Sequence, residues 1–298
     1  NFKKLYLKAG TEITKKPLNA KDIPALHFSA NDFRYGNKQF GKTNLTLTPT
    51  SKGLKIQQLS AESNAFSLTA EGDWQTQFNR NDTHLVGQIH IYDVGETLAR
   101  FGTSASITGK EGRLYFILDW PDAPYNPSSK SLSGNFSITL DKGHIIHVGA
   151  EASRNIGLGE LLNFFSLQNL SHLLALDFSN THHNGFAFDI MRGNFKIKNG
   201  NIYTQDTYLE GPIARVSIQG LISLVNKNYD LYISVTPYIT SSLPLVATLA
   251  AGPVVGATAW VADKLIGKQV VGNLMTRSYR MQGPWTQSTV TEVNKDKS

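Results

Sequence analysis

Apolar and polar residues alternate along most of this chain. Leu45 and Leu47, Phe66 and Leu68, Ile89 and Ile91, Leu114, Phe116 and Leu118, and Phe136, Ile138 and Leu140 each put apolar side chains on one face of an extended segment. Phe195 and Ile197 do the same, as do Ala214, Val216 and Ile218, and Leu231, Ile233 and Val235. Threonine, lysine, glutamine, serine and aspartate fill the positions between. Successive side chains of a strand point to opposite faces, so period two with one polar face predicts antiparallel strands covered on one side only. Turn formers separate the runs at Ser51-Lys-Gly53, Asp141-Lys-Gly143, Lys198-Asn-Gly200, Glu210-Gly-Pro212 and Asn226-Lys-Asn228.

The pattern also repeats. Gly134-Asn-Phe-Ser-Ile138, with a turn signal ending at Gly143, matches Gly193-Asn-Phe-Lys-Ile197, with one ending at Gly200. Upstream, Gly95-Glu-Thr-Leu-Ala-Arg-Phe101 matches Gly159-Glu-Leu-Leu-Asn-Phe-Phe165. The predicted unit is a short amphipathic helix followed by strands, recurring at about 60 residues. A strand unit with one apolar face cannot bury it alone, so neighbouring units are expected to stack into one continuous sheet. The expected organisation is a strand repeat over 1–93, a helix-plus-strands unit over 94–156 and a C-terminal unit over 157–298.

One segment departs from the alternation. From Leu231 to Ala262 there is no charged residue and no histidine, and its second half is rich in alanine, valine and leucine. About 20 apolar residues span a bilayer as a helix, but Pro244 and Pro253 interrupt this run, and each proline inside a helix costs about 3 kcal/mol. Gly252 suits the end of one short helix and Pro253 the start of the next. The segment therefore predicts an apolar helical hairpin at about 241–269 rather than a single span. Leu245, Leu249, Val254, Trp260, Val261, Leu265, Lys264 and Lys268 are its candidate membrane contacts, the lysines reaching towards phosphate headgroups. A buried helix pair is the plain alternative. Tyr238, Trp260, Tyr279 and Trp285 flank the run and fit either an interface or ordinary packing.

Composition removes several function classes. The chain of 298 residues has no cysteine, so disulfides and thiolate metal sites are excluded. Its net charge of +6 is spread out, without the basic cluster that tracks nucleic acid phosphates. Charged residues make up only 17%, and Asn, Ser and Thr are abundant, which favours an exported β-protein. The first residues alternate like a strand, so an export signal or anchor is expected upstream. His144 and His147 fall on opposite faces of a strand and make a poor metal site. His182-His183 reads as a solvated loop, and Asp177 and Asp189 stand alone. No serine sits in a Gly-x-Ser-x-Gly elbow. Nothing combines acid, base and nucleophile, so the expectation is a non-enzymatic protein with no cofactor and no metal.

Several further segments carry a resemblance. They are Gly157-Leu-Gly-Glu-Leu-Leu-Asn-Phe-Phe-Ser-Leu167, Gly185-Phe-Ala-Phe-Asp-Ile-Met-Arg-Gly-Asn-Phe195, Leu209-Glu-Gly-Pro-Ile-Ala-Arg215, Ala251-Gly-Pro-Val-Val-Gly256 and Tyr279-Arg-Met-Gln-Gly-Pro-Trp285. In order and spacing the chain resembles the C-terminal part of the AsmA-like proteins of Gram-negative envelopes, most specifically their YhdP subgroup. The first 156 residues match only as a generic strand repeat of that family. The resemblance implies an elongated curled antiparallel β-sheet whose groove carries phospholipid between inner and outer membrane. It further implies a periplasmic body, an inner-membrane anchor upstream and a C-terminal end near the outer membrane. The candidate groove positions are Leu114, Phe116, Phe136, Ile138, Phe195, Ile197, Val216, Ile218, Leu231 and Ile233. The expected partners are phospholipids, a membrane surface and an envelope protein, with no nucleic acid. The alternative is a structural or docking module whose apolar helices bind a partner protein or membrane.

Overall fold

In a computed structural model the fold is described for residues 1–8, 18–103, 107–145, 186–238, 276–285 and 287–293. Fourteen strands form one sheet whose spatial order is the order of the chain. They are β1 (Leu5–Leu7), β2 (Leu26–Tyr35), β3 (Lys38–Thr50), β4 (Gly53–Glu62), β5 (Phe66–Gln77), β6 (Arg80–Ile91) and β7 (Ile107–Trp120), followed by β8 (Ser133–Ile145), β9 (Phe186–Lys198), β10 (Asn201–Glu210), β11 (Ala214–Ser223), β12 (Asn228–Pro237), β13 (Arg277–Pro284) and β14 (Thr289–Glu292). Every pairing is antiparallel except that of β1 with β2. The sheet does not close: β1 and β14 are its two edges. At about 4.8 Å between strands it extends about 60 Å in the stacking direction.

Turn chemistry sets the register. At the β9–β10 turn, Asn199 (φ 48°) and Gly200 (φ 71°) join the paired residues Lys198 and Asn201. Two central residues with positive φ match the strand twist, and Asn-Gly is the dipeptide that adopts them at least cost. The Asp141-Lys-Gly143 signal behaves differently from expectation. Lys142 takes a positive φ of 46° but lies inside β8, where the chain stays paired on both sides of it. It marks a local irregularity within a strand rather than a turn. Register shifts between Thr204 and Thr207 and between Ile56 and Leu59 add the local twist by which a wide sheet curls.

The repeat has an unexpected geometry. Its two closer copies lie in adjacent antiparallel strands, so Gly134 pairs with Ile197, Phe136 with Phe195 and Ile138 with Gly193. The motif meets itself reversed, with the Phe136 and Phe195 rings stacked at 4.5 Å and 9°. The predicted helix forms as α1 (Val94–Arg100), capped by the Asp93 carboxylate, which accepts from the Glu96 backbone N–H at 2.7 Å. Its apolar side buries Val94 and Leu98, while Glu96 and Arg100 pair one turn apart at 2.9 Å. The matching segment at 159–165 and the hairpin expected at 241–269 lie outside the described residues. One helix and the short 3-10 turn Ala20–Asp22 are thus the only helical elements among those described.

Because strands alternate in direction, the connections fall on two rims. The tips after β3, β5, β7, β9, β11 and β13 form one rim, and the remaining connections form the other. On the first rim a buried network holds residues 18–20: Asn81 Nδ2 donates to the Leu18 carbonyl at 3.1 Å, and the Ala20 N–H donates to Thr76 Oγ1 at 2.9 Å. The Trp74 indole and the Thr76 hydroxyl both donate to Asn81 Oδ1.

Tyr229 on β12 is buried, and burial pushes its hydroxyl well above the usual tyrosine range. Its ionised form is disfavoured more in the folded than in the unfolded chain. Its contribution to stability is therefore complete below a pH of about 10 and is lost as pH rises beyond that. Denaturation followed from pH 8 to 11 should show stability falling at the alkaline end. Tyr229→Phe should fall less steeply; an identical slope would show that the buried hydroxyl does not control it.

Candidate functional site

Directly paired residues share a face, so the register can be read across the sheet as rows. One row runs Phe28, Leu45, Leu59, Ala70, Gly87, Phe116, Phe136, Phe195. Its neighbours contain Ala61, Leu68, Ile89, Leu114 and Ile138, and Leu47, Ile56, Gly72, Leu85 and Leu118. Further along, Val216 pairs with Val235, Ile218 with Ile233, and Leu231 with Met281. All ten groove positions read from the sequence therefore lie on one face. The opposite face carries polar pairs such as His84 with Asp119 at 2.7 Å and Arg280 with Asp230 at 3.1 Å.

Burial along this face is uneven. Ile138, Phe195, Ile197, Val216, Ile218, Leu231 and Ile233 are buried, with Ile197 3% and Leu231 1% exposed. They belong to one core that extends from Ile91 to Met281. Leu114, Phe116 and Phe136 are only half-buried, as are Leu45, Leu59, Leu68, Leu85, Ile89 and Leu118. The accessible part of the apolar face thus lies on β3–β8, towards the N-terminal side of the chosen positions. Alternation marks Leu45, Leu68, Ile89 and Leu118 in the sequence, but it cannot distinguish an accessible apolar face from a packed one.

Small clusters close the strand ends around this accessible stretch. On the tip rim Leu54, Ile56, Trp74 and Leu47 pack with Ala20 and Ala123. On the other rim Phe66, Ala61 and Ala65 pack with Phe40 and Phe101 just beyond α1. Between them glycine flattens the wall: a Cβ on Gly87 would stand 2.5 Å from Phe116 Cζ, so only glycine lets that ring lie across the next strand.

The remaining candidates are placed as follows. Leu245, Leu249, Val254, Trp260, Val261, Lys264, Leu265 and Lys268 lie outside the described residues, as do His147, Asp177 and the His182-His183 pair. His144 and Asp189 are exposed on strands. Tyr279 is buried in the main core, and Trp285 packs on Tyr229 with ring centroids 6.0 Å apart, which is ordinary packing for both. Tyr238 donates to the Glu210 carboxylate, and burial followed by that carboxylate raises its hydroxyl to about 12. Among the described residues there is no metal-ligating cluster of three His, Cys, Asp or Glu, and no helix is long and apolar enough to cross a membrane.

This geometry defines a class: a long, open β-sheet with one continuous apolar face. The chain belongs to the YhdP protein family, whose model matches residues 1–290. It is similar to the intermembrane phospholipid transporter YhdP of Escherichia coli (strain K12), with 25% identity over 280 residues. That match covers 94% of this chain and 22% of the relative, so the chain spans about a fifth of the relative's length. No solved structure matches it.

The burial gradient has a measurable consequence. Leu231→Ala removes a fully enclosed side chain and should cost about 2–5 kcal/mol in urea denaturation. Leu118→Ala, on the same face but half-buried, should cost about half as much or less. Equal losses would show that the face is packed uniformly from end to end.

Proposed function

We propose that this chain holds phospholipid acyl chains along the apolar face of its sheet and forms part of a conduit between two membranes. The observation that carries the reading is the run of half-buried Leu45, Leu59, Leu68, Leu85, Ile89, Leu114, Phe116, Leu118 and Phe136 across consecutive strands. Apolar side chains left accessible in a continuous strip gain by being covered, at about 0.8 kcal/mol per methylene buried. Two long acyl chains supply tens of such groups. The contacts are non-directional, and each strand offers nearly the same surface as the next, so a chain can slide without a large barrier. No catalytic group is required for this.

The similarity to a phospholipid transporter supports the same reading. On it, the protein works in the periplasm as part of a longer chain anchored in the inner membrane. The apolar segment at 241–269 serves as its contact with the outer membrane or with a partner protein there.

Substitution on the accessible stretch tests the proposal. Leu59→Arg and Leu114→Arg place a cation where acyl chains would run, and a chain cannot pass it without desolvating the charge. Both side chains are half-buried, so the guanidinium can reach water and the sheet should still fold, as checked by circular dichroism. Native mass spectrometry after gentle purification should show phospholipid on the wild type and at least a fivefold reduction on each variant. Unchanged lipid content in folded variants would refute transport along this face. A lipid-free wild type would leave the docking-module reading in its place.

A further inference from the structure

The two rims of the sheet differ in charge. Five tips on one rim each carry a basic residue: Lys52 after β3, Arg80 after β5, Lys130 after β7, Lys198 at the end of β9 and Lys227 after β11. All five are exposed. The acid within these tips, Asp122, is already engaged: its carboxylate accepts from the Ala123 N–H at 2.7 Å and the Asn126 side chain at 2.6 Å. Among the described residues Lys52, Arg80, Lys130 and Lys198 have no ion-pair partner. The described connections of the opposite rim carry Glu62, Asp93, Glu96 and Glu210 against Lys8, Lys38, Arg100 and Arg277, with Arg100 bound to Glu96 and Arg215 to Glu210.

The tips are also fixed relative to one another by backbone hydrogen bonds. The Thr76 N–H donates to the Lys52 carbonyl at 2.9 Å, Gly200 to Leu132 at 2.8 Å, Leu224 to Gly200 at 2.9 Å and Trp285 to Lys227 at 2.8 Å. Successive cations therefore recur once per hairpin, every two strands, or about 10 Å. They line one rim of the sheet, Arg80 and Lys198 at positions that alternate onto its polar face.

We infer that this rim is a phosphate rail: the phosphodiester headgroups of lipids whose acyl chains lie on the apolar face project past the hairpin tips and meet Lys52, Arg80, Lys130, Lys198 and Lys227 in turn. The inference rests on the acyl-chain reading above and adds to it the side on which headgroups travel. A lipid lying parallel to the strands has its acyl chains on the face and its polar end at one rim. The opposite rim, where acids and bases balance, offers a phosphate no such row of cations. Exposed cations spaced in this way attract phosphate without holding it, because each ion pair is solvated and weak. A headgroup can then pass from one tip to the next.

The test is competition between two lipids with identical acyl chains, phosphatidylglycerol and diacylglycerol, for the 298-residue chain, read by native mass spectrometry. Wild type should take up phosphatidylglycerol in preference by about three- to tenfold, with the preference shrinking in high salt. The quadruple variant Lys52→Gln, Arg80→Gln, Lys130→Gln, Lys198→Gln should bind as much total lipid with the preference reduced to near parity. A control with the same change in net charge, Lys38→Gln, Lys42→Gln, Lys110→Gln, Lys196→Gln, should keep the wild-type preference. If the rim variant keeps its preference, or if the control loses it equally, the rail is refuted. If the rim variant keeps its preference but no longer floats with anionic vesicles, the rim is a membrane contact instead, which also refutes the rail. Absence of both lipids from wild type would overturn the acyl-chain reading itself and is read separately.

Discussion

A sheet with one apolar face and no second layer among its described elements has to cover that face with something, and this requirement governs the rest of the structure. Along β9–β13 the face is covered, and Val216, Ile218, Leu231 and Ile233 are buried. Along β3–β8 the cover is partial. There the strand ends are sealed by two small clusters, one holding Ala20 and Trp74 and the other Phe66 with Phe101, and a half-buried strip remains between them. The same apolar chemistry thus serves as packed core at one end of the molecule and as accessible surface at the other.

The reversed pairing of the Gly-Asn-Phe motif shows how local sequence supports this. Antiparallel neighbours carrying the same motif bring phenylalanine against phenylalanine and set each glycine opposite an isoleucine. Large and absent side chains then alternate across the row, and the stacked rings lie flat against the sheet. A motif repeated in parallel register would instead line up all its bulk in one row and all its gaps in another.

Much of this was legible in the amino-acid sequence. Strict alternation announced the one-sided strands, Lys198-Asn-Gly200 announced a turn, and the Gly95–Phe101 motif announced the short helix α1, though not its Asp93 cap. Other features were hidden for physical reasons. Asp141-Lys-Gly143 has the composition of a turn, but its neighbours on both sides supply ladder partners, and pairing overrides the local preference. Alternation places Leu114 and Leu231 on one face equally well, yet Leu231 is buried and Leu114 half-buried, a difference set by distant parts of the chain rather than by local pattern. The repeat suggested stacked copies; the direction of stacking depends on the number of strands between them, which composition does not reveal.

The strand order carries a consequence for how the molecule comes into being. Each strand is flanked only by those before and after it in the chain, so most contacts close short loops, and the entropy lost at each addition is small. Growth can proceed from one end, every new strand docking on the edge left by its predecessor. The exceptions are the steps from Ile145 to Phe186 and from Pro237 to Arg277, where about 40 residues separate strands that pair with each other. Assembly should pause at those two points with β8 or β12 as a bare edge, and a bare edge recruits other chains. The vulnerability of this fold to aggregation is therefore concentrated at two moments in its synthesis rather than spread over its finished surface.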